Sequence, residues 1–82
     1  QRIKALQISQ SIEVATKSIM SGEKNCEVVI AQMENILSDM DIEYISIVNR
    51  KLDKIKTIKL KNTIILVAVK IDTIRLIDNI WI

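Results

Sequence analysis

The sequence predicts an α+β fold, with an N-terminal αα-hairpin packed on a small antiparallel sheet of about three strands that ends in a C-terminal β-hairpin. Three observations predict it. Apolar residues recur at spacings of three and four over the first half of the chain. Residues 42–49, IEYISIVN, and 64–82, IILVAVKIDTIRLIDNIWI, are rich in β-branched residues and contain neither Gly nor Pro. The polar step at Asp72-Thr73 folds the second of these stretches back on itself.

At 82 residues the chain makes one domain, 1–82. A chain this short buries roughly 60–65% of its unfolded surface, so modest stability is expected. With 49% hydrophobic and 27% charged residues it is globular. Tyr44 and Trp81 are its aromatics, so the core is aliphatic. The absence of His removes the commonest general base and metal ligand. A single cysteine, Cys26, makes neither an internal disulfide nor a zinc site, and a reducing cytoplasm is the expected compartment. No signal peptide is visible. The longest apolar run, 64–69, falls far short of the ~20 residues that span a bilayer. The chain opens on Gln1-Arg2, directly into a helical pattern, so a piece of a longer protein is expected.

Residues 2–21 read as an amphipathic helix. Ala5, Ile8, Ile12, Ala15 and Ile19 form its stripe, widened by Leu6 and Met20, with Gln7, Gln10, Glu13 and Lys17 solvated. Gly22 is the stop signal, because Gly accepts the left-handed conformation past a helix end. A second helix runs from about Asn25, its N-cap, to Met40, with the stripe Cys26, Val29, Ile30, Met33, Ile36, Leu37 and Met40. The short connection makes the pair antiparallel. In this stripe Cys26 is a packing residue.

Residues 42–49 form a strand for which Tyr44/Ser46/Val48 and Ile45/Ile47 are both plausible inner sets. Residues 50–61 then change character. Six of the twelve basic residues lie here against one acid, Asp53, giving the segment +5, whereas residues 1–49 carry −3. One reading is a phosphate or nucleic-acid patch. The other, preferred, is a solvated connection tacked down by Leu52, Ile55, Ile58 and Leu60. No aromatic is interleaved to stack on bases and no Gly-rich loop cradles phosphate. The strand 63–71 is apolar on both faces, as for a central strand covered on both sides. The helices cover one face, and the other is expected to meet something outside this chain.

These residues carry a resemblance. The run Leu66-Val67-Ala68-Val69-Lys70-Ile71, then Arg75-Leu76-Ile77-Asp78-Asn79, resembles the C-terminal signature of the pantothenate synthetase (pantoate–β-alanine ligase) family, roughly LAVAVRIGKTRLIDN. Residues 42–49 resemble its IDYVELVD strand. Gln1-Arg2, Ala5, Ser11-Ile12 and Ala15 resemble the helix that follows its Ser-Ser-Arg-Asn motif. This chain has Asp72 where the family has a turn Gly, Thr73-Ile74 in place of Lys-Thr, and Asn49 in place of Asp.

The resemblance implies an enzyme that condenses pantoate with β-alanine through a pantoyl-adenylate, using ATP and Mg²⁺. It implies that 1–82 is a C-terminal lid, whose partner is its own N-terminal Rossmann-like domain. No catalytic, substrate-binding, cofactor-binding or metal residue carries over, so the chain alone is expected to be inactive and to bind no cofactor. Arg75 and Asp78, three apart on a strand, point to opposite faces and read as sheet-edge or interdomain contacts. The competing readings are a free-standing nucleic-acid-binding module using 50–61, and a self-associating unit that forms a homodimer. The expected partners include no membrane, and nucleic acid is disfavoured.

Overall fold

Helical and then strand-like apolar spacing produces the predicted order of elements. The computed structural model describes residues 2–82, with side chains from residue 6 onward. Helices α1 (Arg2–Met20) and α2 (Cys26–Ile36) precede strands β1 (Asp41–Val48), β2 (Ile64–Ile71) and β3 (Ile74–Trp81). The strands form one antiparallel sheet in the order β1-β2-β3. The fold is therefore α+β, as expected, with the helices on one face of the sheet. α2 lies over β1, and α1 packs on α2 and reaches β3.

On α1, Ile8, Ala15 and Ile19 are buried and Ile12 is partly buried against the core. Ala5, expected in the same stripe, lies outside the residues with described side chains. Leu6 and Met20 do not widen the stripe and are 59% and 67% exposed. At about 100° per residue they project roughly 110–150° around the helix from its centre. Ser11 takes the flank instead. It is fully buried, and its hydroxyl donates to the Ile8 carbonyl at 2.7 Å.

The helix stops at Gly22 by a Schellman arrangement. The Glu23 N–H donates to the Ser18 carbonyl and the Gly22 N–H to the Ile19 carbonyl, both at 3.0 Å, with Gly22 at φ 110°.

Asn25 caps α2, its side chain accepting from the Glu27 N–H at 2.9 Å. Cys26, Val29, Met33 and Leu37 are buried, and Ile30 and Met40 pack against the core. The helix ends at Ile36, earlier than the stripe suggests. Residues 37–40 keep the stripe's direction as a turn, with the Met40 N–H on the Leu37 carbonyl at 2.9 Å.

The inner set of β1 is Ile42, Ile45 and Ile47. In register with Val69, Val67 and Ile65, they join the core beneath the helices. A bulge between Ile42 and Tyr44 inserts Glu43 and sends Tyr44, Ser46 and Val48 to the opposite face. Past the bulge alternation is regular, and both sets carry apolar residues, so the sequence alone left them open. β2 is central, as expected, with Ile65, Val67, Val69 and Ile71 toward the helices and Ile64, Leu66 and Ala68 on the far side. Each fully buried aliphatic side chain of this size contributes roughly 1.5–3 kcal/mol. The Ile71–Ile74 pair leaves Asp72-Thr73 as the two-residue turn, with Asp72 at φ 56°.

Candidate functional site

Three regions carry the chemistry of the chain: the basic connection, the Arg75/Asp78 pair, and the helix-free face of the sheet.

The basic connection is an ordered strap. Asn49 organises its start, with Oδ1 accepting from the N–H groups of Lys51 (2.9 Å) and Asp53 (3.1 Å). Its own N–H donates to the Asp53 carbonyl at 2.9 Å. The strap then runs along the outer edge of β1, where the Ile55 N–H donates to the Ile47 carbonyl at 3.2 Å. It crosses to the start of α2, with the Cys26 N–H on the Lys56 carbonyl (3.0 Å) and the Ile58 N–H on the Lys24 carbonyl (2.7 Å). Buried Thr63 closes it, accepting from the Lys59 N–H at 3.0 Å and donating to the Lys59 carbonyl at 2.7 Å.

Of the four apolar residues expected to hold the strap, Ile58 is buried and Ile55 partly so, whereas Leu52 and Leu60 are exposed. Leu52 has a left-handed backbone, φ 67°, set by the turn around Asn49. Backbone and Asn/Thr hydrogen bonds therefore hold the strap as much as apolar contact does. The sequence signal for this was an Asn at a strand end, directly before a run of basic residues.

Lys24, Asn25, Glu27, Lys56 and Thr57 line a shallow pocket of about 410 Å³ at the start of α2. Its volume suits a small ligand, since such sites run to roughly 300–1,000 Å³. A helix N-terminus attracts anions through unsatisfied N–H groups. Here those of Asn25, Cys26 and Glu27 are bonded to Glu23 Oε2 (3.1 Å), the Lys56 carbonyl and Asn25 Oδ1. The Glu27 carboxylate adds like charge to any incoming phosphate. Its neighbour Cys26 is buried in the core, and burial pushes its thiol up despite a backbone hydrogen bond that acts the other way. A thiol so held is a packing group.

Arg75 and Asp78 point to opposite faces, as their spacing predicts. The Arg75 guanidinium lies 2.7 Å from Glu43 Oε2 and 5.9 Å from the centre of the Tyr44 ring. The bulge thus supplies Arg75 with its carboxylate. The pair is part-exposed, so it contributes about 0–1 kcal/mol. Asp78 Oδ1 accepts from the Asn79 N–H at 2.8 Å, and Asp78 borders Ile8 and Ser9 of α1. The structure does not bring the two together.

The helix-free face carries Asp41, Tyr44, Ser46 and Val48 on β1, and Ile64, Leu66, Ala68 and Lys70 on β2. β3 adds Arg75, Ile77, Asn79 and Trp81. Ile77 and Trp81 are 57% and 60% exposed. The Arg50 guanidinium lies 5.6 Å from the Trp81 ring centre. Among the described residues, no three His, Cys, Asp or Glu side chains group as a metal site, and no helix is long and apolar enough to cross a membrane.

The family model described as "Pantoate-beta-alanine ligase" matches residues 1–81. A pantothenate synthetase of Sulfurimonas denitrificans is 43% identical over 81 residues, which cover 99% of this chain and 30% of that protein. One from Aliarcobacter butzleri is 41% identical over the same shares of the two chains. One from Helicobacter pylori strain Shi470 is 38% identical over 100% of this chain and 30% of its own length. The chain thus spans about 30% of the length of these relatives. The crystal structure of pantothenate synthetase from Thermus thermophilus has the same fold, with a TM-score of 0.83 at 22% identity, over 96% of this chain and 29% of that one. With the expected helices, sheet and hairpin all in place, the family match across nearly the whole sequence means that this chain belongs to the pantoate–β-alanine ligase family.

Proposed function

We propose that this chain is the C-terminal lid domain of a longer ATP-dependent ligase that joins pantoate to β-alanine through a pantoyl-adenylate. The observation that carries this reading is the family match over residues 1–81, in relatives more than three times as long. The larger remainder, an N-terminal Rossmann-like domain, holds the nucleotide and both substrates. An acyl-adenylate is lost if water reaches it, so a rigid cover that closes over it protects the intermediate and helps place the amine. The two-layer fold and the tied strap suit such a cover. The reduced thiol and the biosynthetic role fit a cytoplasmic enzyme.

ATP and Mg²⁺ belong to the longer protein. The residues present here do not fit them: the N–H groups of Asn25, Cys26 and Glu27 are already bonded, and among the described residues no three His, Cys, Asp or Glu side chains group to hold a cation. No step of the reaction is therefore assigned to this chain's side chains.

The test is formation of AMP from ATP, pantoate and β-alanine. The longer polypeptide is expected to turn over, and the 82-residue chain to give no product above background. Sustained turnover by the 82-residue chain contradicts the lid reading, and an inactive longer polypeptide contradicts the ligase reading.

A further inference from the structure

We infer that the helix-free face of the sheet, centred on Leu66, Ile77 and Trp81, is the surface on which the rest of the longer polypeptide docks. This rests on the reading of the chain as one domain of a longer ligase.

Four observations lead there. The first is composition. Ile77 and Trp81 stand well exposed beside Leu66 and Ala68, but Ser46, Asn79, Lys70 and Arg75 share the face. Interfaces between domains of one chain have this mixed character, whereas obligate dimer interfaces resemble a core cut in half. The second is charge. Arg50, Lys70 and Arg75 lie on or beside the face, with Asp41 across from Lys70 and Glu43 against Arg75. Most of the charge is thus offset within the face, so a second copy placed face to face gains little from charge complementarity.

The third is preorganisation. The arginines at the two ends are held over Trp81 and Tyr44, at 5.6 and 5.9 Å from the ring centres, so little rotamer freedom is left to lose on docking. The fourth is length. The relatives carry more than two-thirds of their residues outside the part matched here. A covalently joined partner works at an effective concentration on the order of millimolar, so a modest mixed face suffices. The exposed apolar residues of the helical layer, Leu6, Val14, Met20 and Val28, are scattered singly and form no comparable surface.

Hydroxyl-radical footprinting of the longer polypeptide and of the 82-residue chain tests this. Oxidation of Trp81 and Ile77 is expected to be several-fold slower in the longer polypeptide, with Leu6 and Met20 reacting equally in both. Ile77→Glu should restore Trp81 oxidation in the longer polypeptide while leaving the melting temperature of the 82-residue chain unchanged. Equal oxidation of Trp81 and Ile77 in the two proteins overturns the inference. So does protection that appears in the 82-residue chain as its concentration rises, which would assign the face to a second copy. AMP formation by the same longer polypeptide keeps the two readings separate. Activity with an unprotected face refutes only the docking surface, and a protected face without activity refutes the ligase reading.

Discussion

Asn49 shows how much a single side chain can organise. Its Oδ1 takes two backbone N–H groups, and its N–H closes the same turn on Asp53. Asn49→Ala leaves both donors without their acceptor and should cost about 1–2 kcal/mol in urea unfolding. Asn49→Asp keeps an acceptor in place and should stay within about 0.5 kcal/mol of the parent. Similar losses for both variants would mean that the side-chain bonds carry little of the strap's stability.

Cys26 makes the opposite point, a potentially reactive group spent on packing. Burial pushes its thiol up, so labelling by a disulfide reagent at mildly alkaline pH should be slow and should accelerate sharply on unfolding. The sign of the pH effect follows from linkage. The thiol ionises more readily in the unfolded chain than in the folded one. Its contribution is full below the ordinary thiol range and is lost as pH rises through the folded-state value. Rapid labelling of the folded chain would contradict this placement.

At the scale of elements, the hairpin β2–β3 turns on Asp72. Its φ of 56° lies where a branched side chain is strained. Asp72→Val should therefore lower stability by about 1–2 kcal/mol, read as a fall in the urea midpoint without a change in slope. No change at all would mean that the turn relaxes to a different geometry.

The elements were largely legible in the sequence, because each was marked by periodicity and a stop signal. Gly22 and Asn25 bound the helices, and the β-branched runs bound the strands. What the pattern missed has identifiable causes. Leu6 and Met20 are apolar, but they lie far around the helix from the stripe, and hydropathy without angle misplaced them. The inner face of β1 was ambiguous because both alternating sets carry apolar residues, and the bulge at Glu43, which no local signal announces, puts Ile42 with Ile45 and Ile47 rather than with Tyr44. Leu52 and Leu60 were read as anchors, yet a turn dictated by Asn49 fixes the path instead.

In the whole molecule, one layer of helices covers one side of a three-stranded sheet whose central strand is apolar on both sides. Of the candidate regions, the basic run 50–61 and the two-sided apolar strand were legible in the sequence. The hydrogen bonds that tie the basic run to the start of α2, through the Lys56 and Lys24 carbonyls, were not legible, because they join segments about thirty residues apart. The cation–aromatic pairs Arg50–Trp81 and Arg75–Tyr44 join residues about thirty apart in sequence, so only the register of the sheet could bring them together.

The central claim is that this chain covers a reaction whose nucleotide is held elsewhere. Calorimetric titration of Mg-ATP into the 82-residue chain at moderate salt tests it most directly. The account predicts no saturable heat. Binding in the micromolar range, worth roughly −8 kcal/mol, and abolished by Lys24→Ala with Lys56→Ala, would place a nucleotide site on the strap and contradict it.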